Sequence, residues 1–381
     1  MNQEYRNIRD FGAVGDGMTD DTSALEQALS YEGAVFFPAG VYILKKQLRP
    51  ETSLCWFGEG NSSIVRFYPA DDSRPEIRTL DDGTKLRVYE NRMIFMKNGR
   101  HLEIRDMKID ANKEAFVSDA CHIGASQYDY VSCLEVWGTK RVVLEGAEFT
   151  NGLIEGVYIY KTQNVQIKNC IFYENGLWQE DASGLHIDEV SSQDSNIFVS
   201  DCEFFRNGFN GLLLNNVHHA VINHIHCHHN GFDGASLWCG ASECIFTDVL
   251  SHHNRSGMNF RSNFTVRLDN QNGSASSYSE NNIVNNLVTF KNDFGILWGC
   301  ARNLTVYGWY GRDCFTHALY YGSDDGDMTG TILGANLSPS VEEINNEYEN
   351  KSQLKLTVSE DTADYALWHS MVQEKINAFG E

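Results

Sequence analysis

Gly184-Leu-His-Ile-Asp188 and Gly211-Leu-Leu-Leu-Asn215 are two copies of one pattern: a glycine, then apolar, variable, apolar, variable. Gly156-Val-Tyr-Ile-Tyr160 precedes them. Gly234-Ala-Ser-Leu-Trp238, Gly257-Met-Asn-Phe-Arg261 and Gly295-Ile-Leu-Trp-Gly299 follow, with Ala318-Leu-Tyr-Tyr-Gly322 as a degenerate seventh. The glycines step by 28, 27, 23, 23 and 38 residues, then 23 to Ala318. A repeat of about 23 that carries insertions is the mark of a solenoid. Two or three short strands fill such a period and leave no room for a ten-residue helix, which excludes leucine-rich and helical repeats. The expected fold is an all-β solenoid, a right-handed parallel β-helix.

A second set of positions marks the corners. Asn151, Asn207, Asn230, Asn254 and Asn292 lie shortly before the glycines. Six residues ahead of Asn175, Asn207, Asn230, Asn254 and Asn292 stand Asn169, Asp201, His224, Asp248 and Asn286. Polar side chains in register at turns satisfy backbone groups that no strand pairs. Strand alternation then assigns the faces. Val157 and Ile159, Leu185 and Ile187, Leu212 and Leu214, and Met258 and Phe260 point inward, as does Trp298. Two outward ladders remain: Tyr158, His186, Leu213, Ser236, Asn259, and Tyr160, Asp188, Asn215, Trp238, Arg261. An outward sheet that mixes these side chains reads as a groove for a long ligand.

With 381 residues, 42% hydrophobic content and 5 prolines, the chain has enough apolar material for one long core. Its net charge of -22 argues against nucleic acid and anionic membranes as partners. No run of 18 apolar residues and no apolar leader occurs, so neither a membrane span nor a signal peptide is expected. A cytoplasmic, phage-associated or mature secreted location stays open. The ten cysteines form no C-x-x-C pair and read as buried free thiols.

The stretch Ile8-Arg-Asp-Phe-Gly-Ala-Val-Gly-Asp-Gly-Met-Thr-Asp-Asp-Thr22 leads into an apolar 3.6-residue pattern (Ala24, Leu25, Ala28, Leu29) and Gly33-Ala-Val-Phe-Phe-Pro-Ala-Gly-Val-Tyr-Ile43. It reads as a glycine-rich turn, an Asp/Thr N-cap, a short helix and the first strands. This opening resembles that of the pectate-lyase-like superfamily, which includes polygalacturonases, mannuronan carbon-5 epimerases and phage depolymerases. The resemblance implies a helix that caps the N-terminal end of the coil and a polysaccharide or oligosaccharide as partner. Residues 1–50 are expected to form the cap and first strands, 51–340 the β-helix, and 341–381 a capping tail with a strand and a helix. A homo-oligomer is compatible with this organisation.

Between residues 69 and 100 an excursion carries seven basic residues, Arg74, Arg78, Lys85, Arg87, Arg92, Lys97 and Arg100. Leu177 to Ser183 and Ser262 to Asn281 are insertions that would wall the groove. Gly184-Leu-His-Ile-Asp-Glu189 is also similar in spacing to the Gly-Phe-Asp-Pro-His-Glu motif of mannuronan epimerases, with His and Asp exchanged. Ser183 stands where that family has tyrosine, and Asn215 where it has the next-rung Asp.

Proton abstraction next to a uronate carboxylate needs a base, an acid and a group that neutralises the carboxylate. His186 is the candidate base, Tyr158 or Tyr160 the acid, Arg261 or Asn215 the carboxylate binder, and Asp188 the group that orients His186. Trp238 and Asn259 complete the groove. The expected function is therefore a lyase or epimerase on a uronic-acid-containing polysaccharide. The alternatives are a glycoside hydrolase and a non-catalytic carbohydrate-binding or virion protein. Hydrolysis would pair Asp188 with Glu155, Glu180, Asp181 or Asp233, since alternation keeps Asp188 and Glu189 from facing out together. No cofactor is required, with calcium on Asp188 as an option. His224, His226 and His228 fall on one face by alternation, near Asp201, Glu203, Asp248 and His252. Stacked histidines need no metal, and none is assigned to them.

Overall fold

Each glycine of the repeat is a contact point between successive turns of the chain. In the computed structural model a Cβ on Gly156 would sit 2.5 Å from the Gly184 carbonyl, on Gly211 2.6 Å from that of Gly234, and on Gly257 2.6 Å from that of Gly295. No side chain fits there. The structure describes residues 5–68, 76–79, 85–88, 92–115, 132–176, 182–190, 195–261, 279–299, 301–321, 329–337, 345–346 and 353–358.

The chain winds as a parallel β-solenoid. One sheet of ten strands runs from Ile94–Lys97 through Leu134–Trp137, Val157–Tyr160, Leu185–Val190, Leu212–Val217, Asp233–Trp238, Ser256–Arg261, Phe294–Trp298 and His317–Tyr321 to Asn345–Asn346. A second parallel sheet of nineteen strands covers the other sides of the coil. Glu76–Thr79 and Lys85–Val88, within the basic excursion, pair as an antiparallel hairpin. The expected register holds: Val157, Leu185, Leu212, Ala235, Met258 and Ile296 align on successive rungs and are fully buried. Trp298 is likewise interior, its Nε1 donating to the Ala301 carbonyl at 3.2 Å. One continuous core runs from Ile8 to Ala335.

The corners are columns of left-handed residues. Asp106, Gly146, Asn169, Asp201, His224, Asp248, Asn286 and Gly308 all have positive φ, as do Arg206, His229, His253 and Lys291 at a second corner and Lys161, Glu189, Asn216 and Cys239 at a third. A non-glycine residue in this region costs roughly 1–2 kcal/mol, so the stacked rungs must offset it. Part of that offset is visible in a ladder of buried asparagines. Asn175 Nδ2 donates to Asn207 Oδ1 (3.0 Å), Asn207 to Asn230 (2.9 Å), Asn230 to Asn254 (3.0 Å) and Asn254 to Asn292 (3.3 Å). The second Nδ2 bond of each reaches a backbone carbonyl, such as Asn207 to Phe172.

At the N-terminal end the expected helix spans Thr22–Leu29 and buries Ala24, Leu25 and Ala28 in the common core. The expected Asp/Thr cap differs. Asp21 makes no cap bond, because its buried carboxylate already accepts from the amides of Val14, Gly15 and Ile43. It ties the glycine-rich turn to the first rungs instead. The tail strand Gln353–Val358 extends the nineteen-strand sheet; the tail helix read over 363–379 lies outside the described residues. Eight of the cysteines are described, and all are free thiols, most of them buried.

Candidate active site

The ten-strand sheet aligns Glu135, Tyr158, His186, Leu213, Ser236 and Asn259 in one outward ladder, and Trp137, Tyr160, Asp188, Asn215, Trp238 and Arg261 in the next. These are the two ladders the alternation defines. Four of the candidate residues meet on the rungs of Val157–Tyr160 and Leu185–Val190. The His186 ring packs on Tyr158 with centroids 4.8 Å apart. Tyr158 Oη donates to Asp188 Oδ2 at 2.9 Å, and His186 Nε2 lies 4.0 Å from that same oxygen. His186 Nδ1 lies 2.6 Å from Glu155 Oε1. The partner that fixes the imidazole is therefore Glu155, with Asp188 one step further away. This corrects the role given to Asp188.

Electrostatics follow from that packing. Burial raises the pKa of Asp188, partly offset by His186 and the Tyr158 hydroxyl. Burial also raises that of Tyr158, helped by the carboxylates of Asp188 and Glu155. Burial disfavours the charged form of each acid. Asp188 Oδ1 and Asn215 Oδ1, on consecutive rungs, are buried oxygens that accept no hydrogen bond from the described residues.

Glu189 is a second correction. Strict alternation turns it away from Asp188, but it occupies a left-handed corner (φ 50°), and the corner breaks the period of two. Its carboxylate accepts from Tyr160 Oη at 2.9 Å and pairs with Lys161 Nζ at 2.8 Å. Those contacts, the lysine first, lower its pKa. Asp188 and Glu189 thus lie on the same side of the sheet, each held by a tyrosine of the rung below.

Below these rungs the outer face is an aromatic and cationic shelf. Tyr160 stands 5.5 Å from Trp137, and Trp137 5.3 Å from Phe95. Arg92 lies over Phe95 and Trp137 and pairs with the buried Glu135, while Lys97 lies over Trp137 and Lys161 over Tyr160. Sequence reasoning did not assign Trp137, Phe95 or Glu135, because these early rungs lack the leading glycine. Their outward parity relative to Tyr158 and Tyr160 was the available signal.

The upper ladder is closed. Leu213, Ser236, Asn259 and Trp238 are buried, with Phe209 packed on Trp238 and on Phe232. Asp233 has no exposed surface; it accepts from Ser236, Ser256 and Asn259, and burial raises its pKa. Trp238, Asn259 and Asp233, expected on the groove, therefore lie beneath the surface and brace its wall. Facing away from the coil interior is not the same as facing water. The backbone of Arg261 continues the Asp188 ladder three rungs on; its side chain lies outside the described residues, as do Glu180, Asp181 and residues 262–278 of the second insertion.

His224, His226 and His228 do not share a face. His224 sits in a left-handed corner and bonds Asp201 at 2.9 Å, whereas His226 and His228 follow it on the flat of the nineteen-strand sheet. No helix among the described residues is long and apolar enough to cross a membrane.

Fold and geometry define a parallel β-solenoid with a cluster of carboxylates, imidazole and phenols on its outer face. The chain belongs to the pectate-lyase-like family described as rhamnogalacturonase A/epimerase, whose model matches residues 5–275. It is 25% identical over 223 residues to the pre-neck appendage protein of Bacillus phage B103, covering 58% of this chain and 22% of that protein. It is 28% identical over 113 residues to the mannuronan C5-epimerase AlgE1 of Azotobacter vinelandii, covering 28% of this chain and 8% of the epimerase. The chain thus spans about a fifth or less of the length of these two relatives. Among solved structures, the N-terminal fragment of bacteriophage phi29 gene product 12 superposes with a TM-score of 0.58 at 13% identity, covering 92% of this chain and 55% of that one. The A-module of Azotobacter vinelandii mannuronan C-5 epimerase AlgE4 gives 0.54 at 14%, covering 89% and 79%. These likenesses show the fold.

Proposed function

We propose that the protein is a polysaccharide-active enzyme that abstracts the proton beside a uronate carboxylate, as a lyase or a C5-epimerase. The observation that carries this reading is the Glu155–His186 pair, 2.6 Å apart. A carboxylate on Nδ1 fixes the imidazole tautomer and leaves Nε2 as the base. Tyr158 is the acid. Its hydroxyl, tied to Asp188 Oδ2, returns a proton to the opposite face of the sugar or to the leaving oxygen, and Asp188 keeps the phenol oriented. Trp137, Tyr160 and Phe95 offer apolar surfaces to sugar rings, and Arg92, Lys97 and Lys161 attract an acidic chain despite the net charge of -22. Among the described residues, Asp188 Oδ1 and Asn215 Oδ1 are the two unpartnered oxygens on these rungs, against the six to eight that calcium takes.

A second reading is favoured by one observation. Asp188 and Glu189 are neighbouring carboxylates whose environments push their pKa values in opposite directions, the arrangement that divides acid from base or nucleophile in glycoside hydrolysis. The mannuronan epimerase relative supports an acidic polymer as substrate, and the phage appendage relative supports a virion role as the non-catalytic alternative. The test is a panel of acidic and neutral polysaccharides, followed for ultraviolet absorbance and reducing ends. Elimination makes an unsaturated sugar that absorbs. Reducing ends without absorbance would establish the hydrolase and overturn the base role of His186.

A further inference from the structure

The nineteen-strand sheet carries a second polar cluster that the proposed reaction does not use. Column stacking fixes it. Tyr173, Phe205, His228, His252 and Phe290 stack ring on ring along five rungs, with centroids 4.6 to 5.1 Å apart. Beside this column, Glu203 and His226 are register partners on adjacent strands. Glu203 Oε1 lies 3.0 Å from His228 Nε2 and 3.7 Å from His226 Nδ1. One carboxylate oxygen and two imidazole nitrogens therefore converge on a single point. All three side chains are largely buried, at 23%, 14% and 10% exposure. A tetrahedral ion with ligands at about 2.0–2.1 Å needs ligand atoms roughly 3.3 Å apart, and the two spacings bracket that value.

The other nitrogen of each imidazole is also engaged. His226 Nε2 lies 2.8 Å from His252 Nε2, His252 Nδ1 2.7 Å from His253 Nδ1, and His228 Nδ1 2.9 Å from His229 Nδ1. With every ring neutral, more than one assignment satisfies all three contacts, and a bound ion would select one of them. In that one, His226 donates from Nε2, His252 from Nδ1 and His228 from Nδ1. That assignment leaves lone pairs on His226 Nδ1 and His228 Nε2, the two atoms turned toward Glu203. Outer partners that set the tautomer of a ligating histidine are the usual support of a metal site.

We infer that Glu203, His226 and His228 form a site for a divalent transition metal such as zinc or cobalt, separate from the groove of His186 and Asp188. Two imidazoles and a carboxylate suit such ions, and three protein ligands leave a fourth position. Two of the three ligands, Glu203 and His226, also line a cleft with Cys202, His224, Ile225 and Leu250.

The test is a cobalt(II) titration of the full chain, read by visible absorption and by metal content after desalting. One equivalent is expected, with ligand-field bands and no sulfur-to-metal charge-transfer band. His226→Ala and His228→Ala should lose it, while His224→Ala, at the corner on Asp201, should retain it. Should an alanine variant unfold, Glu203→Gln keeps the shape and should weaken binding at least tenfold. No uptake by the parent chain, or uptake that survives His226→Ala and His228→Ala, overturns the site. So does uptake lost only with His253→Ala, which would move the ion to the neighbouring group of His229, His252 and His253.

Discussion

Asn207→Ala tests how the solenoid holds its corners. The Asn207 side chain makes four hydrogen bonds. Oδ1 accepts from the amide of Asn175 (3.2 Å) and from Asn175 Nδ2 (3.0 Å), while Nδ2 donates to the Phe172 carbonyl (3.0 Å) and to Asn230 Oδ1 (2.9 Å). The residue is 1% exposed, so water cannot replace these partners without opening the coil. At about 1 kcal/mol net per bond, the loss is about 4 kcal/mol, and orphaned buried groups at about 1–3 kcal/mol each push it higher. Asn207→Asp keeps the acceptor but sets a carboxylate against two oxygens, so it should be at least as damaging at pH 7. Asn164, whose side chain bonds at the exposed edge of its strand, serves as the control, and its alanine variant should lose under about 1 kcal/mol. Urea unfolding followed by circular dichroism gives each value. A loss below about 1 kcal/mol for Asn207→Ala would refute the ladder as a source of stability.

Gly211→Ala would place a methyl group 2.6 Å from the Gly234 carbonyl and 2.9 Å from Phe204 Cβ; a loss of about 1–3 kcal/mol is expected in the same unfolding assay. Asp188 and Glu189 should respond to pH with opposite signs. Burial raises the folded pKa of Asp188, so its ionisation weakens the fold as pH rises through the carboxylate range. Asp188→Asn should accordingly be better tolerated at pH 7 than at pH 4. Lys161 and Tyr160 lower that of Glu189, so its contribution is present at neutral pH and lost as pH falls; Glu189→Gln should cost stability at pH 7 and little at pH 3. Denaturation midpoints at these pH values decide both, and equal effects across pH would contradict the assignments. Trp137→Ala removes the ring between Phe95 and Tyr160 and should weaken retention on an acidic polysaccharide gel by roughly tenfold, 1.4 kcal/mol. Unchanged retention would place the ligand elsewhere.

The repeat was legible because its glycines are required by the backbone contact between turns, and its inward residues because burial enforces a period of two. The corners were half legible. Asn169, Asp201 and Asn286 announce left-handed turns, but Arg206, Lys161 and Cys239 adopt the same conformation through their neighbours, with no local preference to reveal it. Each such corner resets the alternation, which is why Glu189 and His224 were misplaced from sequence. Glu155 was named as a carboxylate near the groove, yet its bond to His186 bridges two rungs 31 residues apart and depends on the turn before Gly156. The burial of Leu213, Trp238, Asn259 and Asp233 was invisible for a different reason. Period-two patterning separates two faces of a strand but does not say what covers the outer one.

Proton abstraction at C5 is the central claim, and hydrogen exchange at that carbon tests it most directly. A uronate polymer that the protein retains would be incubated with it in D2O and followed by proton NMR, alongside His186→Ala. The account predicts loss of the C5 proton signal, by deuterium incorporation or by formation of the unsaturated sugar, and at least a hundredfold slower loss with the variant. Chain cleavage with the C5 proton intact, or exchange that persists undiminished without His186, would contradict it.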